Sequence, residues 1–276
     1  MRSRLHARIR SRVRPRLGGI GAAYLDPATL AFQSATGASD LAGVDAVVRY
    51  LKAESLFNSA MFLPLKSAQN YGTGALAHVI GGLTSGDFTI NNGAPWAGDG
   101  VALNGSNQFL AKADFLGDGD FVVLIGYSSA TESDAVHNTL FSQWEGTTND
   151  RSIWLRMDDE SPISAFRDSS GAGNSENYGI TTGGFISGAN VAYRAIDGGG
   201  RDIWINGAKQ TLSLIGSSTD QTSRHNSSAS VAIGAINADS GASRLAAATI
   251  KHCLVIDGSS VSDSNIETLT SLTDAL

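Results

Sequence analysis

From about residue 77 onwards, the sequence is built of short segments in which apolar and polar residues alternate, separated by Gly, Asn, Asp and Ser. The segments are 87–90, 101–105, 108–112, 120–128, 139–144, 152–158, 163–168, 190–196, 201–207, 210–216, 231–236 and 247–258. Alternation with a period of two turns one side of a strand towards a core, so each segment is predicted to be a half-buried strand. Many short strands joined by turns favour an antiparallel sandwich or barrel.

The composition agrees with a turn-rich β fold, because 32 glycines stand against five prolines. Glycine, with Asn and Asp, supplies the backbone conformations that tight turns need. Polar stretches such as 169–179 are predicted to be surface loops. No stretch approaches the roughly 20 apolar residues of a membrane span, so we expect no membrane partner.

Two helices are predicted outside the strand-rich pattern. The first spans about residues 40–54, with Ser39 or Asp40 as its cap, and the second begins at Ser262 or Asp263. Their apolar faces consist of Leu41, Val44, Val47, Val48 and Leu51 in the first helix, and Ile266, Leu269 and Leu272 in the second. The apolar run 57–64 is compatible with a strand or a helix.

The N-terminus carries a strongly basic arm. Seven arginines and no acidic residue occur in residues 1–16: Arg2, Arg4, Arg8, Arg10, Arg12, Arg14 and Arg16. Of the 20 basic residues of the chain, 13 remain beyond the arm against 26 acidic ones, so residues 17–276 have a formal charge of −13. Apolar residues recur at every fourth position, at Leu5, Ile9, Val13 and Leu17.

Such an arm can be a disordered tail, an organelle transit peptide or a segment that docks on a partner. Arginine binds carboxylates and phosphates alike, so both protein and nucleic acid are conceivable partners. The interleaved apolar residues favour protein, and an acidic body would be repelled by DNA. We therefore expect the seven arginines to dock on protein.

Three stretches in this order are similar to parts of the concanavalin A-like, laminin-G-type jelly roll. They are 99–110 followed by the strand 119–127, then 193–207 with an Asn206-Gly207 turn, and then 229–235 followed by 247–256 and a helix. The resemblance implies a mainly β chain: an antiparallel β-sandwich with an N-terminal helical or irregular segment and a C-terminal helix. The predicted organisation is an arm over 1–19, an anchoring segment over 20–76 and the sandwich over 77–276.

A jelly roll with a basic arm and no export signal also resembles virion proteins of tailed bacteriophages. This resemblance implies a structural protein of a tail fibre, baseplate or capsid surface, located in the virion and, during assembly, in the host cytoplasm. The arm would bind other virion proteins, the sandwich would face outwards for assembly or host contact, and the protein would form a homo-oligomer. A free-standing carbohydrate-binding lectin-like module is the alternative, and a glycoside hydrolase is the third reading.

The sequence has none of the catalytic patterns expected of a hydrolase. Carboxylates in the order E-x-D-x-x-E on one strand, where alternation places them on the same face and close enough to act as nucleophile and acid, do not occur. Neither G-x-S-x-G nor H-E-x-x-H is found, and the five histidines are scattered. His252 and Cys253 lie in an apolar run and are expected to be buried. The sequence therefore predicts a protein that is not an enzyme.

Candidate ligand-binding residues lie in predicted loops or at the ends of predicted strands. Calcium could be held by Asp118, Asp120 and Asp197, with Asp114, Asp202 and Asp239 as further candidates, although Asp also forms turns by bonding its own backbone. No other cofactor is expected.

A glycan, including one on a host surface, would need an aromatic platform with polar neighbours. The candidates are Trp144, Glu145 and Asn149, at the end of a predicted strand. The alternative for Trp144 is packing in the core.

Overall fold

The computed structural model describes residues 24–70, 74–117, 119–131, 138–145, 150–157, 162–168, 175–180, 183–198, 200–215, 225–257 and 261–276. The seven arginines of the arm, Asp118 and Asn149 lie outside these ranges. No helix in these ranges is long and apolar enough to cross a membrane.

The described chain forms α-helices, one short 3-10 helix (Phe57–Ser59) and many short strands. The helices are α1 (Pro27–Thr36), α2 (Ala42–Ala53) and α3 (Asp263–Asp274). The strands are β1 (Ala60–Pro64), β2 (Leu76–Ala77), β3 (Ile80–Gly81), β4 (Phe88–Asn91), β5 (Val101–Asn104), β6 (Phe109–Lys112), β7 (Phe121–Ser128), β8 (Asn138–Glu145), β9 (Asp150–Met157), β10 (Ser164–Asp168), β11 (Ser175–Gly179), β12 (Ala189–Ala195), β13 (Arg201–Ile205), β14 (Ala208–Lys209), β15 (Ser213–Leu214), β16 (Val231–Ile233) and β17 (Ala247–Asp257).

The strands form two antiparallel sheets that pack face to face. Sheet A has the order β14-β13-β12-β7-β17-β1-β3, and β5 also pairs with β17. Sheet B has the order β15-β11-β10-β9-β8-β16-β6-β4-β2. The prediction of a mainly β antiparallel sandwich with an N-terminal helical segment and a C-terminal helix is therefore confirmed.

The core lies between the two sheets and is formed by the inward residues of each strand. Phe121 of sheet A contacts Phe141 of sheet B, with ring centroids 6.3 Å apart, and Tyr193 of its own sheet at 5.9 Å. Cys253 also faces this core, where burial raises the pKa of its thiol well above the usual value. The prediction that Cys253 is a buried apolar residue is confirmed, since it is fully buried.

The outer face of sheet A is covered by the three helices. Phe62, Leu254 and Trp204 project from this sheet into a second apolar cluster, which includes Leu51 of α2 and Ile266 of α3. Helices pack well on such a surface because their apolar stripe is removed from water. The three helices and the outer face of sheet A therefore form a second core.

The predicted helix boundaries agree with the structure at one helix and fail at another. The Ser262 side chain accepts a hydrogen bond from Asn265 N at 3.1 Å and caps α3, as one of the two predicted caps. The cap predicted for α2 is wrong, since the helix begins at Ala42 after Leu41, which makes no side-chain capping bond. Helix α1, capped by Asp26, was not predicted because its segment shows no sustained period.

The segment predicted to precede the sandwich contributes to it. Strand β1 pairs with β17 over five residues and with β3 on its other side, so it lies inside sheet A. The sandwich therefore begins before the predicted boundary at residue 77. The predicted loop 169–179 also needs correction, because Ser175–Gly179 forms β11, which pairs with β10. The anchoring role of residues 20–76 stays a prediction.

Candidate functional site

The two outer faces of the sandwich differ in what covers them. The described helices pack on sheet A and leave the outer face of sheet B uncovered by any of the three. On strand β4, Phe88 and Ile90 point into the core, so the alternating residues Thr89 and Asn91 lie on the outer face. Polar residues on this face are accessible to a ligand.

An open groove of about 430 Å³ lies on β4 and β6 at this outer face. It is lined by Gly86, Asp87, Thr89, Asn91, Ala111, Lys112, Ala113 and Ser230. Thr89 pairs directly with Ala111, so the polar side chains of β4 lie beside the small apolar side chain of Ala111 on β6. Gly86 has a φ of 82°, a conformation that favours glycine, and a Cβ there would lie 3.4 Å from Lys112 Nζ.

The charged groups of the groove are held in place by hydrogen bonds. Lys112 Nζ donates to Ser85 O at 2.8 Å, and partial burial lowers the pKa of Lys112 while the nearby Asp87 opposes that shift. Asp87 Oδ2 lies 2.7 Å from His78 Nδ1. The Lys112 ammonium and the Asp87 carboxylate are thus held at one end of the groove. We call this groove the sheet B groove.

Next to the groove, the same face carries a packed aromatic cluster. The rings of Trp154 and Phe166 stack with centroids 5.0 Å apart, and Trp144 contacts both at 6.0 and 6.1 Å. Arg156 lies over Trp154 and Phe166, with its guanidinium carbon 5.0 and 4.6 Å from the ring centroids. Trp154 Nε1 donates to Thr139 Oγ1 at 3.0 Å. These contacts join β8, β9 and β10 across the sheet.

Trp144 is therefore not an exposed platform, contrary to the sequence-based hypothesis. Its side chain is 7% exposed because the segment after β16 folds over it. Asn237 N donates to Trp144 O at 2.9 Å, Ser142 Oγ donates to Ala235 O at 2.6 Å, and Ile236 packs on the ring. A loop that follows β16 in sequence thus covers the ring at the end of β8.

Glu145 holds the same loop and is also buried, at 5% exposure. Ser240 Oγ donates to Glu145 Oε1. Glu145 Oε2 is buried without a hydrogen-bond partner in the part of the chain that the structure describes. The carboxylate therefore fixes the covering loop, and the third predicted residue, Asn149, lies outside the described residues.

The structure brings two of the predicted calcium ligands together as hydrogen-bonded turn residues. Asp120 Oδ1 accepts from Asp197 N at 2.7 Å, and Asp197 Oδ1 accepts from Gly198 N at 3.2 Å. Asp202 pairs with Arg194 and Lys209 instead. Within the described ranges no three His, Cys, Asp or Glu residues are grouped to hold a metal ion. Asp118 lies outside these ranges, so the calcium site stays a prediction.

Sequence reasoning missed the sheet B groove. The outward residues Thr89 and Asn91 belong to a segment that the sequence marked only as a strand. Their alternation with Phe88 and Ile90 shows that they share a face. The sequence gives no sign that β6 pairs with β4, or that Lys112 and Ser230 complete the groove.

No family model matches the sequence, and the search of curated proteins found no match. Among solved structures, the chain is similar to the Trypanosoma rangeli sialidase in complex with sialic acid, with a TM-score of 0.55 and 14% identity, over 84% of this chain and 39% of that one. It is also similar to the receptor-binding domain of botulinum neurotoxin type G, with a TM-score of 0.50 and 14% identity, over 77% of this chain and 50% of that one. The chain thus spans half or less of each of these structures.

These likenesses show the fold and correct one expectation. The prediction that the chain is not an enzyme, which rested on the missing catalytic patterns, is contradicted, because a sialidase shares this fold over most of the chain at 14% identity. Catalytic motifs and fold are separate evidence, since one fold carries many activities. Neither structure is a bacteriophage protein, so the virion hypothesis stays a prediction.

Proposed function

We propose that the chain is a carbohydrate-binding β-sandwich module that holds its ligand in the sheet B groove. The observation that carries this proposal is the difference between the two outer faces. Three helices cover sheet A, whereas sheet B presents an open groove of about 430 Å³ with polar walls. A volume in this range is typical of small-ligand sites, which reach from roughly 300 to 1,000 Å³.

The residues of the groove suit a ligand that is rich in hydroxyl groups. A hydroxyl both donates and accepts, so a sugar is recognised best where donors and acceptors lie side by side. The Lys112 ammonium donates, the Asp87 carboxylate accepts, and the Thr89 hydroxyl and Asn91 amide do both. Ala111 and Ala113 have short side chains that allow a sugar ring to approach the sheet.

The aromatic cluster supports the groove without being its platform. Trp144, Trp154 and Phe166 are packed into the sheet, with Trp144 and Trp154 each 7% exposed. Stacked rings and the covering loop keep β8, β9 and β10 in one arrangement, and β16 links them to β6 at the groove. A rigid sheet loses little conformational entropy when it binds a ligand.

The similar structures support the same class of partner. One of them was solved in complex with sialic acid, and the other is a receptor-binding domain. A surface glycan is therefore the partner we propose for this chain.

The virion reading is a narrower form of this proposal. It would place the sandwich on a phage particle, facing a host glycan, with the seven arginines of residues 1–16 on other virion proteins in a homo-oligomer. The motivating observation is the charge of the arm against a body of −13. Assembly of the chain into particles with its arm, and loss of assembly without residues 1–19, is the expected result.

A glycan array probed with the purified chain tests the main proposal, with the double variant Thr89→Ala/Asn91→Ala beside it. We expect selective binding that falls on the order of tenfold or more in the variant, because two hydrogen-bonding side chains are lost. Ser264→Ala, an exposed residue of α3 on the opposite side, is the matched control and should bind as the parent chain does. An array without signal, or equal binding by the double variant, would overturn the proposal.

A further inference from the structure

A second groove, of about 410 Å³, lies between α1 and the edge of sheet A at β3. Its walls are mostly apolar and include Ala28, Ala31 and Ala35 of α1, with Phe57, Val79 and Ile80 opposite. Ala31 and Ala35 are exposed, and Leu30 on the same helix is 44% exposed. Helix α1 therefore presents an apolar surface that the described residues leave uncovered. We call the groove between α1 and β3 the α1 groove.

We propose that residues 5–17 of the same chain dock in the α1 groove. This segment carries Leu5, Ile9, Val13 and Leu17 at every fourth position. Residues four apart lie on one face of a helix, so Leu5, Ile9 and Val13 can enter a groove together, and Pro15 ends the helical stretch before Leu17. The binding mode would be that of an amphipathic helix laid into an apolar groove.

The chain is long enough to make this contact. Tyr24 lies two residues before Asp26, the N-cap of α1, and Arg49 Nη2 donates to Tyr24 O. The seven peptide steps from Leu17 to Tyr24 span at most about 25 Å when extended. Helix α1 has 10 residues and is therefore about 15 Å long. The connection can return along the whole of α1, and Gly18, Gly19 and Gly21 allow the reversal.

The charges of the two partners are complementary. The arm carries seven positive charges, whereas residues 17–276 carry a formal charge of −13. Asp87 stands at one rim of the α1 groove, paired with His78. On such a helix Arg14 points away from the apolar face, and Arg8 and Arg10 flank it, so docking would leave these side chains at the rim of the groove or outside it. Arginines outside the groove would then form a basic surface patch that remains accessible to a further partner.

Disulfide trapping tests this contact directly in the full-length chain. Cys253 is the single cysteine and is fully buried, so two introduced cysteines can pair without competition from an exposed native thiol. In the double variant Val13→Cys/Ala31→Cys, we expect a bridge within one chain. The matched control is Ser11→Cys/Ala31→Cys, because Ser11 lies on the side of the helix opposite Leu5, Ile9 and Val13. A bridge needs Cα atoms within about 7 Å, so the first pair should close on the order of tenfold faster.

Every outcome of this experiment decides the proposal. Faster bridging within one chain in the Val13 variant supports it. Equal rates in the two variants would overturn it, and bridging between chains would overturn it as well, because the groove would then bind a second copy. Thermal melting of both reduced variants, which we expect to match the parent chain, checks that the substitutions leave the fold intact.

Limited trypsin digestion gives an independent measurement. Trypsin cleaves after arginine, so docking should slow cleavage between Arg8 and Arg14 in the parent chain. In Ala31→Arg/Ala35→Arg, added bulk and charge block the groove, and we expect faster cleavage of the arm. Ser264→Arg, an exposed change on α3, is the control and should leave the rate unchanged. Equal rates in all three chains would contradict the proposal.

Discussion

The outer faces of sheets A and B both consist of antiparallel strands, but they differ in whether helices cover them. On sheet A, Phe62, Leu254 and Trp204 are covered by helices and lie in an apolar cluster. On sheet B, Thr89 and Asn91 line an open groove, and the aromatic residues of the neighbouring strands are closed by a loop. We therefore expect the helix-covered face to contribute more to stability, and the open face of sheet B is the one that we propose for ligand binding.

The largest effect should come from the helix-covered face. Phe62→Ala removes a fully buried ring from the apolar cluster beneath the helices and should lower the free energy of unfolding by about 3–5 kcal/mol. Phe166→Ala on sheet B removes a half-buried ring and should cost roughly 1–2 kcal/mol. Urea unfolding of both variants measures the difference. Equal losses would contradict the division into a stability face and a binding face.

The helix-covered side should also confer sensitivity to acid. His252 is fully buried, and neither ring nitrogen has a hydrogen-bond partner among the described residues. Burial, with smaller contributions from Lys251 and Lys66, lowers the pKa of His252 from 6.5 to about 3. Between these values the unfolded chain binds a proton that the native chain does not, so stability should fall as the pH falls.

The expected loss from His252 is about 2 kcal/mol between pH 7 and pH 5. Denaturant unfolding at pH 7, 6 and 5 measures this loss in the parent chain and in His252→Gln. Glutamine does not titrate, so the variant should lose less stability over the same interval. Parallel curves for the two proteins would show that His252 is not the source of the acid sensitivity.

A smaller effect is expected at the start of α3. The Ser262 side chain accepts from Asn265 N, and Asn265 Oδ1 accepts from Ser262 N, which forms a capping box. Ser262→Ala should lower the free energy of unfolding by about 1 kcal/mol. Ser264→Ala, two residues along and exposed, should leave it nearly unchanged. A cost at Ser264 as large as at Ser262 would argue against the cap.

The smallest effect on stability is expected in the sheet B groove. Thr89→Ala/Asn91→Ala should change the free energy of unfolding by less than about 0.5 kcal/mol per site, because neither side chain is buried. Chemical denaturation beside the glycan array separates stability from binding. A large loss of stability would show that the groove residues contribute to the free energy of unfolding, and the two outer faces would then not differ in that respect.

How well the sequence predicted each strand depended on its surroundings. Phe121–Ser128 and Ala247–Asp257 agree with predicted segments to within a residue at each end. The run 57–64 was ambiguous because β1 is buried along its whole length, between the other sheet and α2, and therefore shows no alternation. Ser175–Gly179 was predicted to be a loop because it lies in a polar stretch, and its pairing with β10 makes it a strand.

The site predictions depended on exposure, which local sequence does not determine. Trp144 and Glu145 end a strand before a polar stretch, a pattern that suggested an accessible ring. Instead, Ile236 and Ser240 fold back over them from about 90 residues further along the chain. Such a long-range contact has no local signal, so the burial of Trp144 followed only from the folded arrangement.

The sequence by itself determined a mainly β sandwich, a capped C-terminal helix and a basic arm with apolar residues at every fourth position. These features are local, since strand alternation, capping residues and charge each depend on a few neighbouring positions. The tertiary structure alone decided that helices cover sheet A, that β1 completes that sheet, and that β4 and β6 combine Thr89, Asn91 and Lys112 into a groove. Those outcomes depend on pairing between distant segments, and the free energy of that pairing is gained only once both partners are in place.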